Sequence, residues 1–283
     1  MSDLLPPGIH YGITREQYVA DTGYNQSSLK AFAKANSPAH YKYDSEHPTL
    51  QDKDYIRIGN FVDCSVFHAG EIAKRFVIWP DDRRGKEWTV FKEANADRTI
   101  LTEAEHERAL GTVNAILKNE DANRSITCSK HHIVVIANHP LFGYRLKAEL
   151  DMLPPIESEW LFDLKTAEDA SAEVFNKQAF AIGYDIQACW YMDILSFLPE
   201  PITMNNFGFI IAETNPPHGV KTRFFKKDSK EIENARKKIN LWLPQYHDCM
   251  INNKWPSYTP AWEEIVFAPW MLRDKPQEGE VLV

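Results

Sequence analysis

Two strand-like segments on either side of a double proline constrain the fold of this chain more than any other feature. Residues 142–152 alternate between apolar and polar side chains, which is the period of a strand with one buried face. Residues 160–166 form a second, apolar segment beyond the turn around Pro154 and Pro155. The pattern predicts an antiparallel hairpin over residues 142–166. The polar face of its first strand carries Arg145, Lys147, Glu149 and Asp151.

Helical patterns lie on both sides of this hairpin in the chain. Thr14 and Gln17 match a capping box, and Asn25 opens a second helix that SPAHY, residues 37–41, is expected to end. Residues 80–88 are predicted to be a charged loop. Further helices are predicted at 58–68, 102–119 (capped by Thr102), 171–197 (interrupted near Gly183) and 230–250, and further strands at 133–137, 207–213 and 220–225.

This order of elements predicts an α/β or α+β domain in which helices flank a central mixed β-sheet. A chain of 283 residues can form one large domain or two small ones, and we expect one. Its predicted parts are a helical N-terminal region (1–57), a core (58–225) and a C-terminal helix and tail (226–283).

The composition excludes several classes of protein. An apolar fraction of 43% with 25% charged residues is typical of a soluble globular chain, and no apolar run approaches the ~20 residues that span a bilayer. The N-terminus lacks the basic and apolar regions of a secretory signal, so we expect a cytoplasmic protein without a membrane partner. Four cysteines without a CxxC pair argue against a zinc ribbon or a clustered iron–sulfur site, and reduced thiols are expected.

The net charge of −8 is unfavourable for binding nucleic acid, because neutralisation of phosphates normally supplies most non-specific affinity. A local basic groove or bound Mg²⁺ can still reverse the potential where DNA would bind. The charge therefore argues only against a protein that coats DNA in general.

Asp163 and Lys165 lie two residues apart on the second predicted strand, so their side chains share a face. Pairing of the hairpin would bring Asp151 to the same point. Hydrolysis of a phosphodiester uses a metal ion held by hard oxygen ligands, and a nearby lysine can offset charge in the transition state. The alternative is a cross-strand ion pair on a solvated face. The apolar neighbours in WLFDLKT favour partial burial, and buried charges of this kind indicate a functional site.

Three further polar residues are candidates for the same site. Gln187 and Tyr191 are four residues apart on the following helix and share a face, which is equally typical of a polar cap on a core helix. Glu149 shares the face of Asp151 and is a possible site residue, although alternate charges on a strand normally face water.

Four short motifs resemble the RecB-like branch of the PD-(D/E)xK nucleases, and more closely the RecE-type exonuclease VIII domain of phages and prophages. They are GNFVD (59–63), KAELD (147–151), DLKT (163–166) and QACWY (187–191). SPAHY, RFVIWP (75–80), RRGKEW (83–88) and WPSY (255–258) extend the resemblance over nearly the whole chain. It implies a restriction-endonuclease-like core.

The resemblance also implies roles for individual residues. Asp151 and Asp163 would bind Mg²⁺, for which Mn²⁺ could substitute, and the main-chain carbonyl of Leu164 would complete the coordination. Lys165 would position the attacking water. Gln187 and Tyr191 would steady the active-site helix and the DNA strand.

The chain departs from the family pattern at one metal ligand. The family commonly has a histidine four residues after the helix glycine, where this chain has Asp63, a competent ligand for Mg²⁺. His68 is the fallback ligand, but it lies about 500° of helix rotation from Asp63, so the two do not share a face. We prefer Asp63.

A 5′→3′ exonuclease acting on double-stranded DNA ends is the function that the resemblance implies, with a single-strand annealing protein as partner and a ring-shaped trimer or tetramer as assembly. Arg83, Arg84, Lys86 and Lys147 are candidate contacts to DNA phosphates, although Arg83, Arg84 and Lys86 can equally belong to a solvated loop that Trp88 anchors. The alternatives are an endonuclease or single-strand nuclease with the same core, and a nuclease-like domain that binds DNA or a partner without cutting.

Overall fold

A computed structural model describes residues 4–49, 52–258, 262 and 264–272. Residues 273–283, the end of the predicted C-terminal tail, lie outside the described residues. The strands are β1 (Gly8–His10), β2 (Phe76–Trp79), β3 (Thr99–Thr102), β4 (Lys130–Asn138), β5 (Arg145–Leu153), β6 (Trp160–Ala167), β7 (Asn206–Glu213) and β8 (Val220–Lys226).

Six of these strands form one mixed sheet in the order β1-β4-β5-β6-β7-β8. Strands β6 and β7 run parallel, and every other neighbouring pair in this sheet is antiparallel. Strands β2 and β3 form a separate parallel pair. The predicted mixed sheet, including the antiparallel relation of β5 and β6, is therefore confirmed.

Helices cover both faces of this sheet, as the sequence pattern predicts. They are α1 (Arg15–Ala20), α2 (Gln26–Lys34), α3 (Pro38–Glu46), α4 (Asp54–Phe67), α5 (Ile72–Arg75), α6 (Gly85–Ala94), α7 (Glu103–Lys118), α8 (Glu120–Thr127), α9 (Ala172–Ile182), α10 (Tyr184–Ser196) and α11 (Lys230–Asn252). Both predicted N-terminal caps form, because Thr14 and Thr102 each complete a capping box. In the part of the chain that the structure describes, no helix is long and apolar enough to cross a membrane.

Two local predictions are wrong. SPAHY begins a helix instead of ending one: the Ser37 hydroxyl accepts from the main-chain N–H of His40, and Pro38 occupies the first helical turn, where its missing N–H costs nothing. The charged segment 80–88 is not all loop, since α6 begins at Gly85. Gly85 has a φ of +87°, a left-handed conformation that glycine adopts readily.

The sheet separates two apolar clusters, and the boundary between them runs through β6. Leu161 packs with α2, α10 and α11 on one face, whereas Leu164 packs with α4 and α7 on the other. Helix α10 is buried on almost all of its sides. A helix so enclosed is apolar around its circumference, so any polar residue that it carries must find a partner inside the protein.

A buried ion-pair network joins α4, α7 and the segment before α6. Glu105 accepts from Arg57 at 2.5 Å and from Arg83 at 2.5 and 2.8 Å, and Arg57 and Glu105 are both buried. Burial by itself would raise the pKa of Glu105, but the hydrogen bonds from Arg83 and Arg57 outweigh it and lower the pKa to about 2.

We predict that Glu105→Gln destabilises the protein by on the order of 3 kcal/mol at neutral pH, as when one partner of a buried ion pair is removed. Because the folded-state pKa of Glu105 lies below its ordinary value of 4.5, its contribution is present above that value and is lost as the pH falls towards about 2. Urea unfolding at neutral and acidic pH measures this difference.

Glu103→Gln is the matched control, because Glu103 is exposed in the first turn of the same helix. Its effect on the free energy of unfolding should stay within about 0.5 kcal/mol, as for most surface substitutions. Equal effects of the two substitutions would show that the network does not stabilise the fold.

Candidate active site

The centre of the site is an ion pair on β6 that is buried beneath α10. The Asp163 carboxylate is 1% exposed and contacts the Lys165 ammonium through Oδ2. Its Oδ1 accepts a hydrogen bond of 2.7 Å from the Gln187 side-chain amide, which α10 supplies. The carboxylate is therefore inside the protein while the Lys165 side chain is 22% exposed, so the alternative of a solvated ion pair does not hold for Asp163.

Asp151 approaches this pair from β5. The two strands are joined in register by the single pair Met152 and Phe162, and the Asp151 carboxylate accepts from the main-chain N–H of Leu164 at 3.3 Å. The Asp151 carboxylate is thus bonded to the main chain of Leu164, the residue whose carbonyl the motif resemblance implies as a metal ligand. The predicted convergence of Asp151, Asp163 and Lys165 is what the structure shows.

The two carboxylates carry unfavourable charge. Burial raises the pKa of Asp163 to about 7, and repulsion from Asp151 adds to the shift. Burial also raises the pKa of Asp151, with a further contribution from Asp63 that Lys165 opposes. The site therefore holds less positive charge than its carboxylates require.

Asp63 belongs to the same cluster. It lies on α4, where burial and the charges of Asp163 and Glu149 raise its pKa while His132 opposes the shift. Its Oδ2 is 3.8 Å from His132 Nε2, and Glu149 Oε1 is 3.6 Å from His132 Nδ1. Asp63 and Glu149 thus lie beside Asp151 and Asp163, and the His132 imidazole lies between Asp63 and Glu149.

His132 is the site residue that the sequence analysis missed. The register that pairs His131 with Met152 and Ile133 with Leu150 puts His132 opposite Asp151. Its φ of +48° is left-handed, a strained conformation for a residue with a Cβ. The only available signal was the histidine pair at the start of β4, whose position opposite Asp151 depends on strand register.

His68 contacts this cluster indirectly. It follows the last residue of α4, and its ring centroid is 4.5 Å from that of His132. Burial, followed by the neighbouring His132, lowers the pKa of His68. Asp63 thus lies beside the carboxylates, whereas His68 contacts the His132 ring.

An open cleft of about 390 Å³ leads to the carboxylates. Tyr191 of α10 lies in its wall and is almost fully buried, and burial raises the pKa of its hydroxyl well above the ordinary range. The other residues of the wall are Arg15, Tyr18, Asn25, Gln26, Ser27, Ser28, His132, Lys147, Ala148, Glu149 and Asp151. The N-terminal helices α1 and α2 therefore form one side of the cleft, which the sequence motifs did not indicate.

Two of the four side chains predicted to contact DNA form hydrogen bonds to other groups of the protein. Lys147 is buried, and its ammonium donates to the main-chain carbonyls of Tyr18 at 2.8 Å and Asp21 at 2.5 Å. Arg83 is held by Glu105 and by the carbonyl of Ile100 at 2.9 Å. These contacts correct the prediction that either side chain reaches out to phosphate, because each cation already has its partners.

The other two predicted contacts lie elsewhere on the surface. Arg84 and Lys86 line an open groove of about 700 Å³ at the start of α6, and none of the acidic site residues lies in its wall. Arg84 pairs with Asp82 at 3.1 Å. Trp88 packs against Trp79 with ring centroids 5.8 Å apart, so it anchors this segment to β2.

The oxygen donors of the site fit a hard divalent cation. Asp163 Oδ2 is buried, and the Lys165 ammonium is its partner within the described residues. Together with Asp63 and Asp151, this carboxylate forms an oxygen donor set of the kind that Mg²⁺ and Mn²⁺ prefer. No three His, Cys, Asp or Glu side chains of the described ranges are already arranged around a common metal position. The chemistry of these oxygen donors thus fits a divalent cation. Within the described residues they do not already form a complete set of ligands around one point.

A family model described as "PDDEXK-like domain of unknown function (DUF3799)" matches residues 25–264, which is most of the chain. The chain belongs to this family. The resemblance inferred from the motifs is confirmed at this level, and the PDDEXK-like domain includes Asp63, Asp151, Asp163 and Lys165. No curated protein matches the sequence.

Solved structures resemble this PDDEXK-like domain at low sequence identity. The crystal structure of a "Putative exonuclease" from Eubacterium rectale is 15% identical, with a TM-score of 0.59 over 92% of this chain and 96% of that one. A phage related exonuclease from Haemophilus somnus 129PT is 15% identical, with a TM-score of 0.37 over 83% and 98% of the two chains. The first similarity confirms the fold.

We predict that Asp151→Asn stabilises the metal-free protein at pH 8 by on the order of 1 kcal/mol, since one pKa unit corresponds to about 1.4 kcal/mol. The amide keeps an oxygen for the Leu164 N–H and removes the repulsion on Asp163. Because folding raises the pKa of both carboxyl groups, their contribution to stability falls as the pH rises from about 4 towards about 7.

Urea unfolding in EDTA at pH 5 and pH 8 tests this prediction, with Lys165→Met as the opposite case. Lys165→Met should destabilise the protein, because it leaves Asp163 buried without its counter-ion. A loss of stability in Asp151→Asn at pH 8 would contradict the proposed repulsion.

Proposed function

We propose that this PDDEXK-like domain is a metal-dependent deoxyribonuclease that removes nucleotides from linear double-stranded DNA in the 5′→3′ direction. The convergence of Asp151, Asp163 and Lys165, with Asp151 in the wall of an open cleft, is the observation that carries the proposal. The exonuclease name of the similarly folded protein from Eubacterium rectale supports an action at DNA ends. The direction rests on the resemblance of the motifs to RecE-type domains.

Asp63, Asp151, Asp163 and the main-chain carbonyl of Leu164 would hold Mg²⁺, or Mn²⁺ in its place. When bound, the cation would neutralise the scissile phosphate and lower the pKa of the attacking water. Gln187 would keep Asp163 in place, because its amide donates to Oδ1 and leaves Oδ2 towards Lys165 and the cation site.

Lys165 would orient water and offset negative charge on the phosphate. Burial opposes the charged form of its ammonium, but Asp163 and Asp151 outweigh this effect and raise the pKa of Lys165. In the metal-free protein these carboxylates favour the protonated side chain, which donates hydrogen bonds. We therefore assign Lys165 an electrostatic role.

A product with single-stranded ends would suit a single-strand annealing protein as partner, and a trimeric or tetrameric ring would confine positive potential to a channel. Both belong to the proposal through the RecE-type resemblance. Such a ring would reconcile DNA binding with the net charge of −8.

We expect the purified protein to degrade linear duplex DNA with Mg²⁺, to leave covalently closed circles intact and to be inactive in EDTA. Asp163→Asn and Lys165→Met should each lower the rate by at least about 10²-fold, as expected when an electrostatic group of an active site is removed. Asp97→Asn removes an exposed carboxylate outside the site and should retain activity. Gel analysis of end-labelled DNA gives both rate and direction.

The other outcomes distinguish the alternative functions. Cleavage of closed circles would identify an endonuclease, and preference for unpaired strands would identify a single-strand nuclease. DNA binding without cleavage, in Mg²⁺ and in Mn²⁺, would identify a nuclease-like binding domain.

We further expect Mn²⁺ to raise the melting temperature more at pH 8 than at pH 6. Asp163 has a pKa of about 7 and must lose its proton before it can bind a cation, and ligand binding to the folded state stabilises it. Thermal unfolding with Mn²⁺ or EDTA measures the shift, and Asp163→Asn should abolish most of it. An equal shift at both pH values would argue against Asp163 as a ligand.

A further inference from the structure

Lys30 of α2 lies beside the active site, on the side where α10 begins. Its aliphatic chain packs on Gly183, where a Cβ would stand only 3.0 Å from Lys30 Cδ. Gly183 joins α9 to α10 with a left-handed φ of +79°, and its lack of a side chain permits this close approach. The next residue, Tyr184, lies under the Lys165 ammonium at 5.4 Å from the ring centroid. Lys30 and Lys165 therefore face the same turn.

The carboxylates near Lys30 are already paired with other lysines. Asp163 contacts Lys165, and Asp185 lies 3.6 Å from Lys238. Within the described residues, Lys30 has no carboxylate within 4 Å and no hydrogen bond to a side chain. It is also partly buried, so water compensates its charge poorly.

Three other lysines lie near this turn, and each has a partner inside the protein. Lys34, one helical turn after Lys30, donates to the carbonyl of Ala181 at 2.7 Å. Lys165 and Lys238 are paired with Asp163 and Asp185. Within the described residues Lys30 has no such partner, and an ammonium group without a counter-ion attracts an anion.

We propose that Lys30 is a substrate-binding residue that contacts a backbone phosphate of the DNA strand being cut. The inference rests on the proposed nuclease function and adds to it a phosphate contact outside the Asp151, Asp163 and Lys165 motif. A phosphate would supply the counter-ion that the protein itself does not provide.

The electrostatics of the unbound protein agree with this role. Burial lowers the pKa of Lys30 to about 8, and repulsion from Lys165 and Lys34 contributes to the shift. The charged form of Lys30 is thus less favoured than that of an exposed lysine, and a neighbouring anion would oppose this effect. A lysine that served only to stabilise the fold would be expected to have a partner inside the protein.

The test compares Lys30→Met with Lys34→Met, two substitutions of the same kind on one helix. Lys30→Met keeps the apolar chain and removes the charge. Binding of a short fluorescent duplex, measured by anisotropy in Ca²⁺, should weaken by roughly tenfold or more, as when a hydrogen bond to a charged group is lost. The slope of log affinity against log salt should fall by about 1. Lys34→Met should leave both values near wild type, because Lys34 already has the Ala181 carbonyl.

Kinetics and stability separate this role from a structural one. Lys30→Met should raise KM much more than it lowers kcat, Lys30→Arg should recover most of the affinity, and the melting temperature should stay constant or rise. A lower melting temperature, or equal losses in the Lys30 and Lys34 variants, would overturn the proposal. If the wild-type protein cuts no DNA, the nuclease function fails, whereas the anisotropy comparison still decides whether Lys30 contacts phosphate.

Discussion

The buried ion pair of Asp163 and Lys165 is the interaction on which the rest of the site depends. A carboxylate that is 1% exposed needs partners inside the protein, because an isolated charge in the core is very costly. Strand β6 directs both side chains towards α10, and Gln187 of this buried helix donates to the Asp163 carboxylate. The geometry of the candidate site and the packing of α10 on the sheet therefore depend on the same contacts.

The charges around this pair are unfavourable for the stability of the unbound protein. Asp63, Asp151 and Asp163 lie in one cluster, and burial with repulsion between them raises the pKa of each. On the other side, Lys30 lies next to Lys165 without a carboxylate of its own. A cation would compensate the first group and a phosphate the second. Proteins tolerate such local cost at functional sites because the remainder of the fold offsets it.

Local sequence patterns predicted the structure correctly where a residue's neighbours in sequence are also its neighbours in space. The alternation of residues 142–152 predicted β5, and the two-residue spacing predicted that Asp163 and Lys165 share a face. Hydrogen bonds within one turn explain why the caps at Thr14 and Thr102 were predicted correctly. The same local reasoning failed at SPAHY, because a proline after a serine suits the start of a helix as well as a break.

Periodicity and short motifs were enough to predict the mixed sheet with flanking helices, the residues Asp151, Asp163 and Lys165, and the family to which they point. Which charged side chains are free to contact a ligand depends on tertiary contacts. Lys147 and Arg83 look free in the sequence but are held by Asp21 and Glu105 on distant segments, and His132 enters the site because strand pairing puts it opposite Asp151. The periodicity of a segment indicates on which face of its strand or helix a side chain lies. The hydrogen-bond or ion-pair partner of that side chain depends on contacts between segments far apart in the chain.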